Sequence, residues 1–294
     1  MLRKLKFSNL ILLLGIIFLY LPLVVLVIFS FTDSALITVW GGFSTVWYKV
    51  LFQDADIISS ALRSLKLAVS AATGALILGT MAAYTLTRFN KFRGRSIFYG
   101  LTLTPLVMPD VVIGISLLLM FVSLQHIIAN IFGNSFDIRG FFTILAAHIT
   151  FCTAYVTIVM QSRLAHIDRS TEEAAMDLGA RPLKTFFMIT LPQIIPSLIA
   201  AWLLAFTLSL DDLVITEFVA SPEQSTLPMY IYSTVKTGPT PEINALATII
   251  IAIVTIVVII ATFLSFRFER KKRKNTLLLK KKKDEAISLL GTYQ

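Results

Sequence analysis

The sequence predicts an all-helical protein that crosses a membrane six times. Three observations predict it: the composition, the spacing of the charged residues and the uneven placement of the cations. Apolar residues make up 56% of the 294 and charged residues only 15%, against about 45–50% and about 25% in soluble globular chains. No charged residue occurs between Lys6 and Asp33, Lys66 and Arg88, Arg139 and Arg163, Lys184 and Asp211, or Glu242 and Arg267. Each gap is close to or above the roughly 20 residues that cross about 30 Å of hydrocarbon. A sixth stretch, Ser96 to Phe136, is interrupted only by Asp110.

The six spans are read as Asn9–Phe31, Ala61–Thr87, Ile97–Leu124, Phe141–Ser162, Ile194–Ile215 and Asn244–Phe266. Short loops rich in Lys and Arg stay on the cytoplasmic side. With the amino terminus inside, only Lys49, Arg63, Lys66, Arg139 and Lys236 of the 26 cations fall outside. Both termini are therefore expected to be cytoplasmic. The first stretch has the basic front of a signal peptide, but its apolar run is too long and no clear A-x-A site follows, so it is read as a retained helix. Residues 1–266 form a membrane domain and 267–294 a basic cytoplasmic tail. The net charge of +9 lies largely in that tail, which suits anionic lipid headgroups better than nucleic acid.

Within the spans, the second is rich in small residues: Ala68, Ser70, Ala71, Ala72, Thr73, Gly74, Ala75, Gly79, Ala82 and Ala83. Such a surface lets helices approach closely in lipid, which places this helix at the centre of the bundle. Trp40, Trp47 and Tyr48 follow the first span and suit the membrane interface, as a belt or a docking surface. The lone Cys152 and the scattered His126, His148 and His166 show no metal-ligand spacing. No metal, cofactor or catalytic residue is expected.

The loop 163–192 holds the most specific pattern. Ser170 and Glu173 have capping-box spacing, so a helix is expected from Thr171. Gly179 fits the left-handed residue that ends such a helix, and Pro182 the first turn of a second one. Glu173, Ala174, Ala175, Gly179, Ile189, Leu191 and Pro192 resemble, at every spacing, the EAA loop of permeases of ATP-binding-cassette (ABC) importers. That resemblance implies the type I importer permease fold, with this loop docking on an ATPase subunit. Pro105–Asp110, His148–Tyr155, Thr207–Leu213 and Pro241–Ala247 are similar to putrescine and spermidine permeases, those of the putrescine type above all. The implied partners are a second, non-identical permease, two ABC ATPases and a periplasmic polyamine-binding protein. The chain itself carries no P-loop, so hydrolysis is assigned to those partners.

Asp110, Asp211 and Asp212 stand out without any family knowledge. A charge within a span costs at least about 2.5–3.5 kcal/mol at the centre, so such acids usually face a pathway. Counting along straight helices puts Asp110 about 20 Å and Asp211 about 26 Å from the inner face. A flexible polycation needs carboxylates along its path, and these three are the candidates. The alternative is that Asp211 and Asp212 cap a helix or pair with Arg63 or Lys66. Another small-solute cargo, or a secondary transporter, are the rival functions; the latter should show repeated halves, and none are evident.

Overall fold

The computed structural model describes residues 2–89, 91–132, 139–221, 224–238, 240–256 and 259. Among them the regular elements are helices, apart from one antiparallel bridge between Thr32 and Phe43. The chain divides into two units. The first comprises residues 1–53 and 239–294, and the second Asp54–Gly238.

The first unit begins with α1 (Leu2–Phe29), whose apolar stretch buries nothing. The chain then turns back on itself. Asp33 N donates to Gly42 O and Ser44 N to Phe31 O, stacking Phe31 on Phe43 with centroids 5.4 Å apart. Trp40 meets Phe29 edge-on, so one of the expected interfacial aromatics also packs within this turn. α2 (Val46–Gln53) follows. The described part of the sixth predicted span is α12 (Pro241–Ile256). Apart from Ile259, the remainder of that span and the tail 267–294 lie outside the described residues.

The second unit is built on α3 (Ala55–Arg88), which starts six residues before the predicted boundary. Asp54 accounts for this: its Oδ1 accepts from Asp56 N and Ile57 N and caps the helix. α3 packs along α6 (Phe141–Ala165) and α9 (Leu191–Asp211). The small residues make that approach possible. Ala68, Ala71, Ala72, Ala75 and Ala83 are fully buried. A Cβ on Gly79 would lie 2.7 Å from Val156 Cβ and 3.0 Å from Thr153 O. Within the second unit this span packs against both α6 and α9, the central position expected of it.

The third predicted span, Ile97–Leu124, is not one helix. α4 (Arg95–Val107) ends and α5 (Asp110–Phe132) begins across Met108-Pro109. Met108 is extended, at φ −80° and ψ 139°, because the ring of the following proline excludes the helical region. The depth counted for Asp110 along a straight helix therefore does not hold. The fifth span also ends earlier than predicted, at Asp211 rather than Ile215, since Asp212 is extended (ψ 123°). α10 (Val214–Val219) packs on α5 and α6, and α11 (Leu227–Thr237) on α3.

Candidate functional site

Two ends of the second unit carry chemistry. At the first, α7 (Ser170–Asp177) and α8 (Pro182–Thr185) form the expected helix–turn–helix. Gly179 has φ +86°, a conformation only glycine adopts without strain. Its N–H bonds Met176 O, and Ala180 N bonds Ala175 O. The capping box expected of Ser170 and Glu173 does not form. Asp168, with its ionised carboxylate two residues upstream, takes both the amide and the hydroxyl of Ser170 instead, and the helix starts one residue early. Those two bonds hold the Asp168 carboxyl below the usual carboxylate range.

Glu173, Ala174 and Gly179 are exposed and Ala175 half-buried. Beside them stand Leu178 and Leu183, 91% and 73% exposed, with Phe187 and Met188. An acid and small residues thus stand amid open apolar side chains. Ile189, Leu191 and Pro192 belong to the helical run rather than to the turn. α8 passes through a single π turn, Phe186–Thr190, straight into α9, so the helix continues through Pro192.

Beneath this surface lies a group the sequence reading missed. Glu172 is buried, accepts from Arg88 Nη2 at 2.8 Å and from Thr190 Oγ1 at 2.9 Å, and is the only buried residue of α7. The local sequence carries no signal for it: Thr171 before it and Glu173 after it both stay exposed, and only the packed bundle sets Glu172 apart.

At the other end, the three acids divide. Asp110 opens α5 and is exposed, and Asp211 closes α9 and is exposed. The Asp212 side chain is only 9% exposed. It accepts from Ile215 N (3.3 Å), Thr216 N (2.9 Å) and Thr216 Oγ1 (2.6 Å), capping α10. His148 Nε2 lies 3.3 Å from Asp212 Oδ2 and 2.9 Å from Thr216 Oγ1, while Nδ1 lies 2.7 Å from Ser209 Oγ. One proton arrangement satisfies all four side chains: Ser209 donates to Nδ1, Nε2–H donates to Thr216, and Thr216 donates to Asp212. Nothing in their spacing singles out His148 from the three histidines. Arg63, weighed as a partner for Asp211 or Asp212, donates to Ser225 O.

Between the two ends, Trp202 and Phe206 stack on α9 with centroids 5.3 Å apart, and Trp202 Nε1 donates to Thr73 Oγ1. Among the described residues no three His, Cys, Asp or Glu converge as a metal site requires.

Residues 75–274 match the model of a family described as binding-protein-dependent transport system inner membrane component. The chain is 56% identical over 262 residues to the putrescine transport system permease protein PotI of Escherichia coli K12, covering 89% of this chain and 92% of that one. It is 39% identical over 254 residues to the spermidine/putrescine transport system permease protein PotC of the same strain, covering 86% and 91%. Among solved structures, a chain of a bacterial ABC transporter that imports the acidic polysaccharide alginate superposes with a TM-score of 0.66, covering 90% of this chain and 96% of that one. At 17% identity that likeness concerns the fold, which is the type I importer permease fold.

Proposed function

Because the chain belongs to the family of binding-protein-dependent transport system inner membrane components, and is thus a multi-pass inner-membrane permease, we propose that its cargo is a polyamine, putrescine or spermidine, taken from periplasm to cytoplasm. The observation that carries the cargo is the identity of 56% with a putrescine permease along nine-tenths of the chain. Chemistry agrees with it. A polyamine is a flexible polycation with an aliphatic middle, so it needs carboxylates with apolar or aromatic surface between them. Asp110 and Asp211 are exposed acids, and the half-exposed Trp202–Phe206 stack offers a face for methylenes and ammonium groups.

The loop from Arg163 to Pro192 faces the cytoplasm in this reading, with Glu173, Ala174, Ala175 and Gly179 on the surface that meets an ATPase. Hydrolysis resides in two ABC ATPase subunits. A second, non-identical permease completes the pathway, and a periplasmic binding protein delivers the polyamine. The cargo is tested by uptake of radiolabelled putrescine and spermidine in cells lacking their own polyamine importers and supplied with the full set of subunits. Uptake that depends on this chain is expected. Saturating uptake of another solute, with none of either polyamine, would refute the cargo and leave the family membership intact.

A further inference from the structure

A cation ending a long apolar helix ordinarily reaches into water or headgroups; Arg88, the last residue of α3, does neither. Its side chain is 9% exposed and its partner Glu172 6% exposed. The same guanidinium donates through Nη1 to Leu164 O near the end of α6. Glu172 Oε1 also accepts from Thr190 Oγ1, the closing residue of the π turn that leads into α9. Neighbouring cations complete the joint: Arg169, just before α7, donates to Thr87 O, and Arg95 Nη2 donates to Leu86 O. One carboxylate thus ties α7 to α3 and α9 directly, and to α6 through Arg88.

α7 has almost nothing else to hold it. Of its eight residues only Glu172 is buried, so the helix is attached to the bundle by directional polar bonds rather than by an apolar face. Such pairs add little net stability, but breaking one leaves a buried charge uncompensated, which makes them intolerant of slack. The attachment also ends on a π turn, an irregularity found often at functional sites.

We propose that Glu172 is the positioning residue of energy coupling: it converts displacement of α7 into simultaneous displacement of α3, α6 and α9. Exposed Glu173 and Ala174 meet the ATPase on one side of α7, and Glu172 grips the bundle on the other. This inference rests on the docking of α7 proposed above and not on the identity of the cargo.

The test uses the complete importer in liposomes, in a Cys152→Ser background. Putrescine uptake and ATP hydrolysis are measured on the same vesicles. A third readout is the maleimide labelling of Leu203→Cys, at an exposed position of α9, with and without ATP. Glu172→Gln keeps the shape and the bond from Thr190 but removes the charge. We expect hydrolysis within about twofold of the parent, uptake per ATP reduced at least about tenfold, and loss of the ATP-dependent change in labelling. Arg88→Lys keeps the charge but cannot reach Leu164 and Glu172 at once, and should show an intermediate ratio. The proposal is overturned if both variants keep the parental uptake per ATP, if uptake and hydrolysis fall in parallel, or if ATP leaves the parental labelling unchanged. Should Glu172→Gln fail to assemble, Arg88→Lys decides alone. A parent that moves neither putrescine nor spermidine refutes the cargo, and the labelling change then decides the coupling.

Discussion

Replacing Asp212 by asparagine separates two roles that a carboxylate near the end of α9 can have. The structure gives this side chain four polar neighbours: two amides, the Thr216 hydroxyl and His148 Nε2. Asparagine offers one oxygen and one amino group, and its amino group cannot accept from Ile215 N or Thr216 N. At least one charge-assisted bond is lost, at about 1.5–3 kcal/mol each, offset in part by relief of a buried charge. We expect a net destabilisation of about 2 kcal/mol, seen as a lower thermal midpoint of the solubilised permease and lower membrane abundance. Polyamine uptake per inserted molecule should stay near parental. Asp110→Asn should do the reverse. On the proposed pathway this exposed acid contacts cargo rather than the fold, so abundance should hold while uptake per molecule falls by roughly 10- to 150-fold. If Asp212→Asn retains full stability and abundance but loses uptake per molecule, the structural, corner-forming role of Asp212 between α9 and α10 is refuted and it returns to the pathway.

Four other outcomes are expected. Single cysteines at Gly179 and Thr237, both exposed, in a Cys152→Ser background, should differ in labelling by an impermeant maleimide on intact cells, with Thr237→Cys reacting; equal labelling contradicts the assigned orientation. Glu173→Lys should leave the protein in the membrane while releasing the ATPase subunits, measured by co-purification, and normal uptake would show that the exposed acid plays no part in docking. Gly79→Leu should prevent accumulation of folded permease, because even a Cβ there lies 2.7 Å from Val156. Gly79→Ala should cost on the order of 1–3 kcal/mol, read as a lower thermal midpoint.

Long, charge-free stretches identify themselves, and the helices along α3, α6 and α9 were legible because lipid imposes a length and excludes charge. The centre of the bundle was legible too, since small residues crowd α3. What could not be read were local competitions for a helix start and contacts distant in sequence. Asp54 extends α3 backwards, and Asp168 displaces Ser170 as the local acceptor; both are one-residue competitions that spacing alone does not rank. Glu172 and Arg88 are separated by 84 positions and His148 and Asp212 by 64, so only the packed helices reveal them as pairs. The split of the third span was hidden because charge spacing reads Ser96 to Phe136 as one stretch, although a proline such as Pro109 excludes helix from the residue before it.

The π turn at Phe186–Thr190 has a consequence for how the rest of α9 is phased. Leu191 N reaches back five residues, to Phe186 O, instead of four, so this stretch behaves as an α-helix with one residue inserted. Each residue turns the chain by about 100°. A helical wheel drawn continuously from Pro182 would therefore misplace every later side chain by about that angle. It would take Ala201, Ala205 and Ser209 off the face that packs against the bundle. Deleting one residue within the turn would restore regular geometry and rotate everything beyond it, carrying Ser209 away from His148. The short loop and the distant corner are thus indexed to each other by a single extra amino acid, and neither can be shifted in register without the other.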